Sequence, residues 1–422
     1  MICIAIFALT LIAYIVNKTP MWVTAMVSMC ALVGAGCLKG NVALSGFSNT
    51  NTILLGSIFI VGAGLQKTTF VETMCSTLMK LTRGSFNKVY FGFLIIGALI
   101  SNFIPSPAVS FSIVAPLLVS LCRGTNHSVT KYMFPLMVVC VGSTSTLPFA
   151  SAISNGGQFN GFLQTYGFEA NFDILWFLIG KGPVVALLIL WALFLGPRSC
   201  PEAPAVDVVN KEASANFSAK PGFRNSAGIV VFFGTILALI FSSVLKQPTW
   251  FISVVGSLLM VLVGPLSGKD AIKAIPTDML LLYVGSLALG NSLAATGAGD
   301  VIGKWLSELV GGTHNNYVLG ALFFIFPFFL TQFMLNKVVN QIFIPICLLT
   351  CKALGANPFG LMILAQAGAF TAIMTPMATP AVIMCMAEGG YDLKALFKCG
   401  WLICIALCVV YTAYVMTMFP AF

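Results

Sequence analysis

Long apolar runs, separated by short polar stretches, follow one another along almost the whole chain. Runs close to the length that crosses a bilayer as a helix lie at 1–16, 20–38, 50–66, 131–149 and 172–195. After a polar stretch they recur at 226–245, 249–265, 278–296, 358–386 and 399–418. The first run has no basic segment before it, so we interpret it as a span rather than a cleaved signal. The pattern predicts an all-α polytopic membrane protein.

Two further apolar regions, 90–122 and 316–350, are too long for a single span and are interrupted near their middle. The interruptions fall at Ser101–Pro107 and Gln332–Asn340. Irregular backbone at membrane depth is tolerated only where protein or a water-filled cavity surrounds it. We therefore predict two re-entrant helical hairpins.

Both halves of the chain have the same order of elements: three spans, an amphipathic charged stretch, a hairpin and two spans. The amphipathic stretches, 67–83 and 297–310, predict interfacial helices. Because five spans is an odd number, the second half is expected to be inverted in the membrane. The predicted repeats are 1–195 and 226–422, joined by a polar linker at 196–225. Inverted repeats with broken helices are typical of secondary transporters.

Composition agrees with this architecture. The chain is 59% hydrophobic and 8% charged, whereas soluble domains carry about 25% charged residues. A soluble enzyme, a secreted module and a disordered scaffold are excluded. The net charge of +9 comes from basic residues in loops on one predicted side, the positive-inside pattern, which argues against a nucleic-acid partner. Lys181 is one of the few lysines assigned to the outer ends of spans.

Polar residues at apolar depth form four clusters. Two are at the hairpin tips, and two are the runs Gly142–Pro148 and Thr375–Ala381 in matching spans of the halves. Single Ser and Thr residues in spans usually make hydrogen bonds between helices, but four clusters at matching positions favour a binding site. The N-terminal ends of half-helices carry partial positive charge and suit anions.

Lys337, at the second hairpin break, is the most informative residue. A charged side chain at the bilayer centre costs several kcal/mol, about 2.5–3.5 on insertion scales, and needs a partner or a wet cavity. No Asp or Glu lies at similar predicted depth, which argues against a cation or proton antiporter and favours an anionic partner. Lys337 could contact the anion directly or replace a coupling cation; alternatively, it caps helix C-terminal carbonyls at the break.

These segments resemble the divalent anion/sodium symporters of the ion transporter superfamily. The run 330–345, LTQFMLNKVVNQIFIP, resembles the family's second hairpin tip, which carries a Ser-Asn-Thr motif. Asn336 falls on the motif Asn, Lys337 on the Thr, and Leu335 replaces the Ser. In the first tip, Pro105, Ser106 and Pro107 fall on the three motif positions. The runs TPMATPA, GYDLKALFKCG and, more loosely, GSTSTLP also resemble family segments.

The resemblance implies an elevator-type transporter, usually a homodimer, for dicarboxylates, citrate or sulfate. It also implies sodium ions beside the tips, here near Ser101–Ser106 and Gly142. Both tips depart from Ser-Asn-Thr, and Lys337 is placed to take the electrostatic role of a sodium ion, as cationic residues do in the family's sodium-independent exchangers. No other cofactor is expected.

We therefore expect secondary transport of small di- or tricarboxylate anions, by symport or exchange, in a bacterial inner membrane. The rival hypotheses are a cation/proton antiporter on the same fold and an intramembrane enzyme such as a lipid transferase. The residues expected to bind substrate are Ser106, Asn336, Lys337, Thr379, Pro380, Asn102, Thr144 and Thr146. The residues expected to support the cavity or a coupling ion are Ser101, Gln332, Asn340, Ala378 and Gly142.

Overall fold

The computed structural model describes residues 1–16, 18–70, 73–74, 77, 85–206, 222–309, 315–377 and 379–422. Within these ranges the regular structure is helical, without a strand. Most of the predicted interfacial helix at 67–83, the linker segment 207–221 and Ala378 lie outside the described residues.

The first half contains ten α-helices within the described ranges. They are α1 (Ile2–Val16), α2 (Met21–Gly34), α3 (Gly40–Leu44), α4 (Thr50–Gln66), α5 (Phe86–Phe103), α6 (Pro107–Gly124), α7 (Val129–Gly142), α8 (Ala150–Thr165), α9 (Leu175–Phe194) and α10 (Gly196–Ser199). A 3₁₀ turn at Ser45–Ser48 joins α3 to α4.

The second half follows the same order. Its helices are α11 (Phe223–Ile240), α12 (Ser242–Leu245), α13 (Thr249–Leu262), α14 (Gly268–Ala274), α15 (Thr277–Thr296), α16 (Ala298–Leu309), α17 (Asn316–Thr331), α18 (Asn336–Leu354), α19 (Phe359–Ala369), α20 (Pro380–Gly389) and α21 (Leu393–Met418). Eight helical segments of the described chain are long and apolar enough to cross a membrane. The all-α polytopic fold is confirmed.

Local sequence sets several helix starts, and the first pair lies at corresponding places in the two halves. Pro20 precedes α2 and Pro248 precedes α13, because proline favours the extended backbone that leads into a helix. The side chain of Asn49 accepts the N–H of Asn51 at the start of α4. Thr379 accepts the N–H of Ala381 in the same way, with Pro380 as the first residue of α20.

The two halves interleave. Helix α2 packs on α15, and the corresponding helix of the second half, α13, packs on α4. Helix α8 lies against both α4 and α15, and it also touches α18. This reciprocal pairing is what a repeat predicts, and it brings the first-half break beside the second hairpin.

Three details differ from the expectations. The predicted span 131–149 ends at Gly142, and a separate helix, α8, follows the break; the sequence pattern did not predict it. The predicted span 358–386 is likewise divided into α19 and α20. Lys181, assigned from sequence to the outer end of its span, does not extend to solvent but is buried within α9 with 1% exposure.

Candidate functional site

The first hairpin tip is tied to the break between α7 and α8 by Asn102. Its Oδ1 accepts the backbone N–H groups of Thr146 and Leu147, both at 2.8 Å. Its Nδ2 donates to the carbonyl of Ser143 at 2.9 Å. Breaking a helix frees such backbone groups, and a buried group left unpaired is costly. Asn102 therefore satisfies both sides of the break with one side chain.

Ser145, in the middle of this break, has a left-handed backbone with φ 58°, which is uncommon for a residue other than glycine. The side chains of α8 hold it there. The hydroxyl of Ser145 is 2.9 Å from that of Ser151 and accepts Nδ2 of Asn155 at 2.6 Å. The first two turns of α8 therefore fix the shape of the break.

Helix α8 presents a polar stripe towards the centre of the protein. Ser151, Ser154, Asn155 and Gln158 have the i, i+3, i+4, i+7 spacing of one helix face. All four are buried. The stripe is a feature of the site that the sequence analysis missed.

The second hairpin tip is tied to the break between α19 and α20. The hydroxyl of Thr375 donates to the carbonyl of Gln332 at 2.5 Å. Within the tip, the hydroxyl of Thr331 donates to Oδ1 of Asn336 at 2.9 Å. Each tip is therefore held by the broken helix of its own half, though through different side chains.

A small cavity lies where the two tips and the α8 stripe meet. Its lining comes from both halves of the chain and is made of Phe59, Pro105, Pro107, Thr144, Ser151, Ser154, Asn155, Gln158, Met279, Lys337, Asn340 and Phe370. The ammonium of Lys337 lies 5.3 Å from the ring centroid of Phe59, a cation–π distance. Within the described chain, no carboxylate oxygen lies within 4.0 Å of that ammonium.

Several buried polar atoms around the cavity have no hydrogen-bond partner among the described residues. They are Nε2 of Gln158, Oδ1 of Asn340 and Oε1 of Gln341. Such atoms are rare in folded proteins and usually indicate a bound ligand or water. The cavity volume is about 20 Å³, so only water-sized species fit while the lining is closed.

The structure brings some of the predicted residues together and separates others. Lys337, Thr144 and Asn340 line the cavity, and Ser106 lies between two lining prolines. The other described residues of the prediction do not line it: Asn102, Thr146, Asn336, Thr379, Pro380, Ser101, Gln332 and Gly142. Besides the α8 stripe, sequence reasoning missed Phe59, Met279 and Phe370.

Three oxygen atoms around the place expected to hold sodium, near Ser101–Ser106 and Gly142, already accept hydrogen bonds. The carbonyl of Ser143 and Oδ1 of Asn102 already accept hydrogen bonds. The carbonyl of Thr144 accepts Nζ of Lys181 at 2.5 Å. The amine of Lys181 would therefore compete with a sodium ion for this carbonyl. The sodium site stays a prediction.

The chain matches a family model. The model describes citrate transporters and matches residues 11–336 and 246–422. A transporter of Haemophilus influenzae is 24% identical over 99% of this chain and 91% of its own length. A sodium-dependent dicarboxylate transporter, SdcS of Staphylococcus saprophyticus, is 22% identical over 96% of this chain and 84% of its own length.

Solved structures with the same fold include two bacterial transporters. The YdaH transporter of Alcanivorax borkumensis superposes with a TM-score of 0.65 at 14% identity, covering 99% of this chain and 96% of its own. MtrF of Neisseria gonorrhoeae, from a class of antimetabolite efflux pumps, superposes with a TM-score of 0.61 at 11% identity, covering 90% and 83%. At this identity the likeness concerns the fold alone.

Proposed function

Because this chain belongs to the citrate transporter family, we propose that it carries small di- or tricarboxylate anions across the membrane. The family confirms the resemblance to divalent anion transporters, and it makes the chain an integral, multi-pass transporter rather than an enzyme. The substrate class, the elevator movement, a homodimeric assembly and the mode of coupling are parts of the proposal.

The ammonium of Lys337 is the observation that carries the proposal. It lines a cavity whose hydroxyl and amide side chains come from Thr144, Asn340 and the α8 stripe, and it lies over the ring of Phe59. A cation held at membrane depth is costly without a counter-charge. An anion entering between the tips would supply that charge and would find hydrogen-bond donors around it.

The rival cation/proton antiporter has little support in the same region. Such a transporter needs an acidic side chain at depth to exchange cations or protons. Among the described residues, Lys181 is the only charged side chain that is fully buried. Glu388 of α20 is half-buried, with a buried Oε2 that has no described partner, but it does not line the cavity that contains Lys337. The electrostatics of the site favour an anion.

The size of the cavity implies movement. A carboxylate substrate of four or more carbons is much larger than about 20 Å³, so the parts of the lining contributed by the two halves must separate for it to enter. Each tip is hydrogen-bonded to the broken helix of its own half, so each tip and its break are expected to move together. An elevator movement meets this requirement.

We propose further that Lys337 acts as a fixed positive charge, so that transport is exchange that needs no sodium. The test is uptake of labelled succinate, citrate and sulfate into proteoliposomes, with and without a sodium gradient and with and without internal anion. Wild type should exchange at least one of these anions without sodium. Lys337→Thr should lose at least tenfold in rate, and Lys352→Thr, which alters an exposed lysine on the same helix, should not.

Two results would contradict parts of the proposal. Uptake by wild type that requires sodium would contradict the fixed-charge role of Lys337 and leave anion transport in place. No flux of any of the three anions under any condition, in protein that is folded and reconstituted, would contradict the proposed substrate class. Flux measured with pH and sodium indicators would then decide for or against the antiporter.

A further inference from the structure

A second, larger cavity of about 580 Å³ lies beside the first hairpin tip. It shares no lining residue with the proposed anion cavity. Its volume is within the range of about 300–1,000 Å³ that is typical of ligand pockets. One wall is a single face of α5, since Ile95, Ala98, Leu99 and Asn102 have the i, i+3, i+4, i+7 spacing. Residues of α9, the α7–α8 break and α21 complete the lining.

The cavity lies at the depth of the lipid chains. Its α9 residues run from Leu178 to Ile189, the central part of a helix, Leu175–Phe194, that is long enough to cross a membrane. The hydrocarbon layer of a bilayer is about 30 Å thick, which matches a helix of this length. Leu178 and Ile179 of the lining are 38% and 40% exposed, so the cavity reaches the outer surface of the helices. Molecules dissolved in the bilayer can therefore enter it.

The lining is almost entirely apolar and includes no charged side chain. Cavities of this kind do not hold ordered water, and folded proteins contain few voids larger than a water molecule. An occupant with an apolar body is therefore expected. A carboxylate or an ammonium group does not suit the cavity, because a charge in the hydrocarbon layer is costly without a partner.

One polar group of the lining has no partner. Thr146 is 3% exposed, and its hydroxyl makes no hydrogen bond to the described residues. The other polar side chains of the lining are engaged. Asn102 binds the break through both of its amide atoms, Ser143 donates to a carbonyl of α7, and Tyr414 donates to a carbonyl of α9. A ligand that satisfies the hydroxyl of Thr146 must bring its own polar atom.

A phospholipid chain does not meet this requirement. Its ester and head-group oxygens lie in the interfacial regions, outside the hydrocarbon layer, so it offers only methylene and methyl groups at the depth of the cavity. A single-chain molecule that moves freely in the bilayer can bring a hydroxyl or carbonyl oxygen to Thr146 while its chain packs against α5 and α9.

We propose that this cavity is a second ligand site, which binds a neutral, single-chain amphiphile with one hydroxyl or carbonyl oxygen. The oxygen pairs with the hydroxyl of Thr146, and the chain lies along α5 and α9. Asn102, Thr146 and Leu147 belong both to this lining and to the contact between the first tip and the break. The amphiphile therefore touches the residues that hold the tip. The site does not depend on which anion is transported.

Photolabelling tests the site. The protein is reconstituted in nanodiscs of phosphatidylcholine and exposed to a diazirine derivative of octanol, and the labelled residues are located by mass spectrometry. Octanol and octane compete at equal membrane concentrations, because octane has the chain without the oxygen. Thr146→Val removes the hydroxyl at nearly constant shape. Ala186→Phe fills the cavity, and Ala406→Phe, at an exposed position of α21 outside the lining, is its control.

Labelling of the lining segments of α5 and α9 should saturate. Excess octanol should reduce it at least fivefold in wild type, and octane should reduce it much less. In Thr146→Val, octanol should compete no better than octane. Ala186→Phe should lose most of the labelling and Ala406→Phe should retain it. The monodispersity of each variant on size-exclusion chromatography shows that it is folded; if Thr146→Val fails this criterion, the comparison of octanol with octane in wild type decides.

Three results would overturn the inference. Labelling that does not saturate, or that spreads evenly over the lipid-facing helices, would show that the cavity holds bilayer chains only. Equal competition by octanol and octane in wild type would show that the hydroxyl does not select the ligand. Unchanged labelling in folded Ala186→Phe would place the label outside the cavity. Because this assay measures no anion flux, a failure of the proposed transport would be seen separately.

Discussion

Gln341 of the second hairpin donates a hydrogen bond from Nε2 to Oε1 of Gln158 on α8, at 2.5 Å. The bond joins residues 183 positions apart and connects the two halves directly beside the proposed anion cavity. The remaining amide atoms, Nε2 of Gln158 and Oε1 of Gln341, have no partner among the described residues. The pair therefore both links the halves and offers one donor and one acceptor to a ligand.

The stability lost on replacing Gln158 and Gln341 together should be smaller than the sum of the losses on replacing each alone. Gln158→Leu or Gln341→Leu leaves the other amide buried and unpaired, at a cost of about 1–3 kcal/mol. In the double variant no such amide remains, so its loss should be smaller than the sum of the single losses. Thermal unfolding in detergent measures this. Gln164→Leu, at an exposed position of the same helix, is the control, and strictly additive losses would contradict the coupling.

Asn102 should be essential to the first half of the site. Asn102→Ala leaves the N–H groups of Thr146 and Leu147 without their acceptor, so we expect a loss of stability of at least about 1–3 kcal/mol and at least tenfold slower transport. Ser112→Ala removes only a bond to the Val109 carbonyl within α6 and should change neither. Wild-type transport by Asn102→Ala would show that the tip and the break do not act as a unit.

Replacing Gly161 with alanine, which adds a single methyl group, should destabilise the protein. A Cβ there would lie 1.8 Å from the hydroxyl of Tyr283, a fully buried side chain of α15. Overpacking of this kind costs about 1–3 kcal/mol, so Gly161→Ala should lower the unfolding temperature. Adding Tyr283→Phe, which removes the obstructing oxygen, should recover part of the loss. Gly234→Ala on α11 meets nothing within 4 Å and should be neutral or stabilising by about 0.5–1 kcal/mol.

The hydroxyl of Thr375 should matter more than its methyl group. Thr375→Val removes the donor to the Gln332 carbonyl and frees the second tip from the α19–α20 break, so anion affinity in a binding titration should fall several-fold. Thr375→Ser keeps the donor and should bind as wild type does. If the serine variant binds as weakly as the valine variant, packing rather than the hydrogen bond holds the tip.

Apolar length and breaking residues were enough to predict the all-α polytopic fold and the helix breaks at Ser101–Pro107 and Gln332–Asn340, because these properties decide how a helix meets a bilayer. Lys337, which lines the cavity, was also identified from sequence as a candidate, since a charged residue within an apolar run is unusual. Helix α8 was missed because Ser151, Ser154, Asn155 and Gln158 lower its hydropathy. The spacing of these residues on one helix face was available as a signal.

Lys181 shows what sequence alone could not supply. A lysine in the first third of an apolar run can extend its ammonium to the membrane surface, and that expectation placed it at an outer end. What decides its position is the carbonyl of Thr144, exposed by the break in another helix. This contact joins two different segments of the chain, so it cannot be predicted from the charge or hydropathy pattern of α9 alone.

The polarity of α8 has a consequence for the synthesis of the protein. Its Gln158 finds its side-chain partner in Gln341, 183 residues later, and its backbone carbonyl accepts the hydroxyl of Tyr283 from α15. At a translation rate of about 5–20 residues per second, the Gln341 partner emerges about 10–40 s after Gln158. During that interval α8 is a poor candidate for independent insertion into lipid. The first half can therefore be inserted into the membrane early, but the wall of the proposed anion cavity is completed only when the second hairpin has been synthesised.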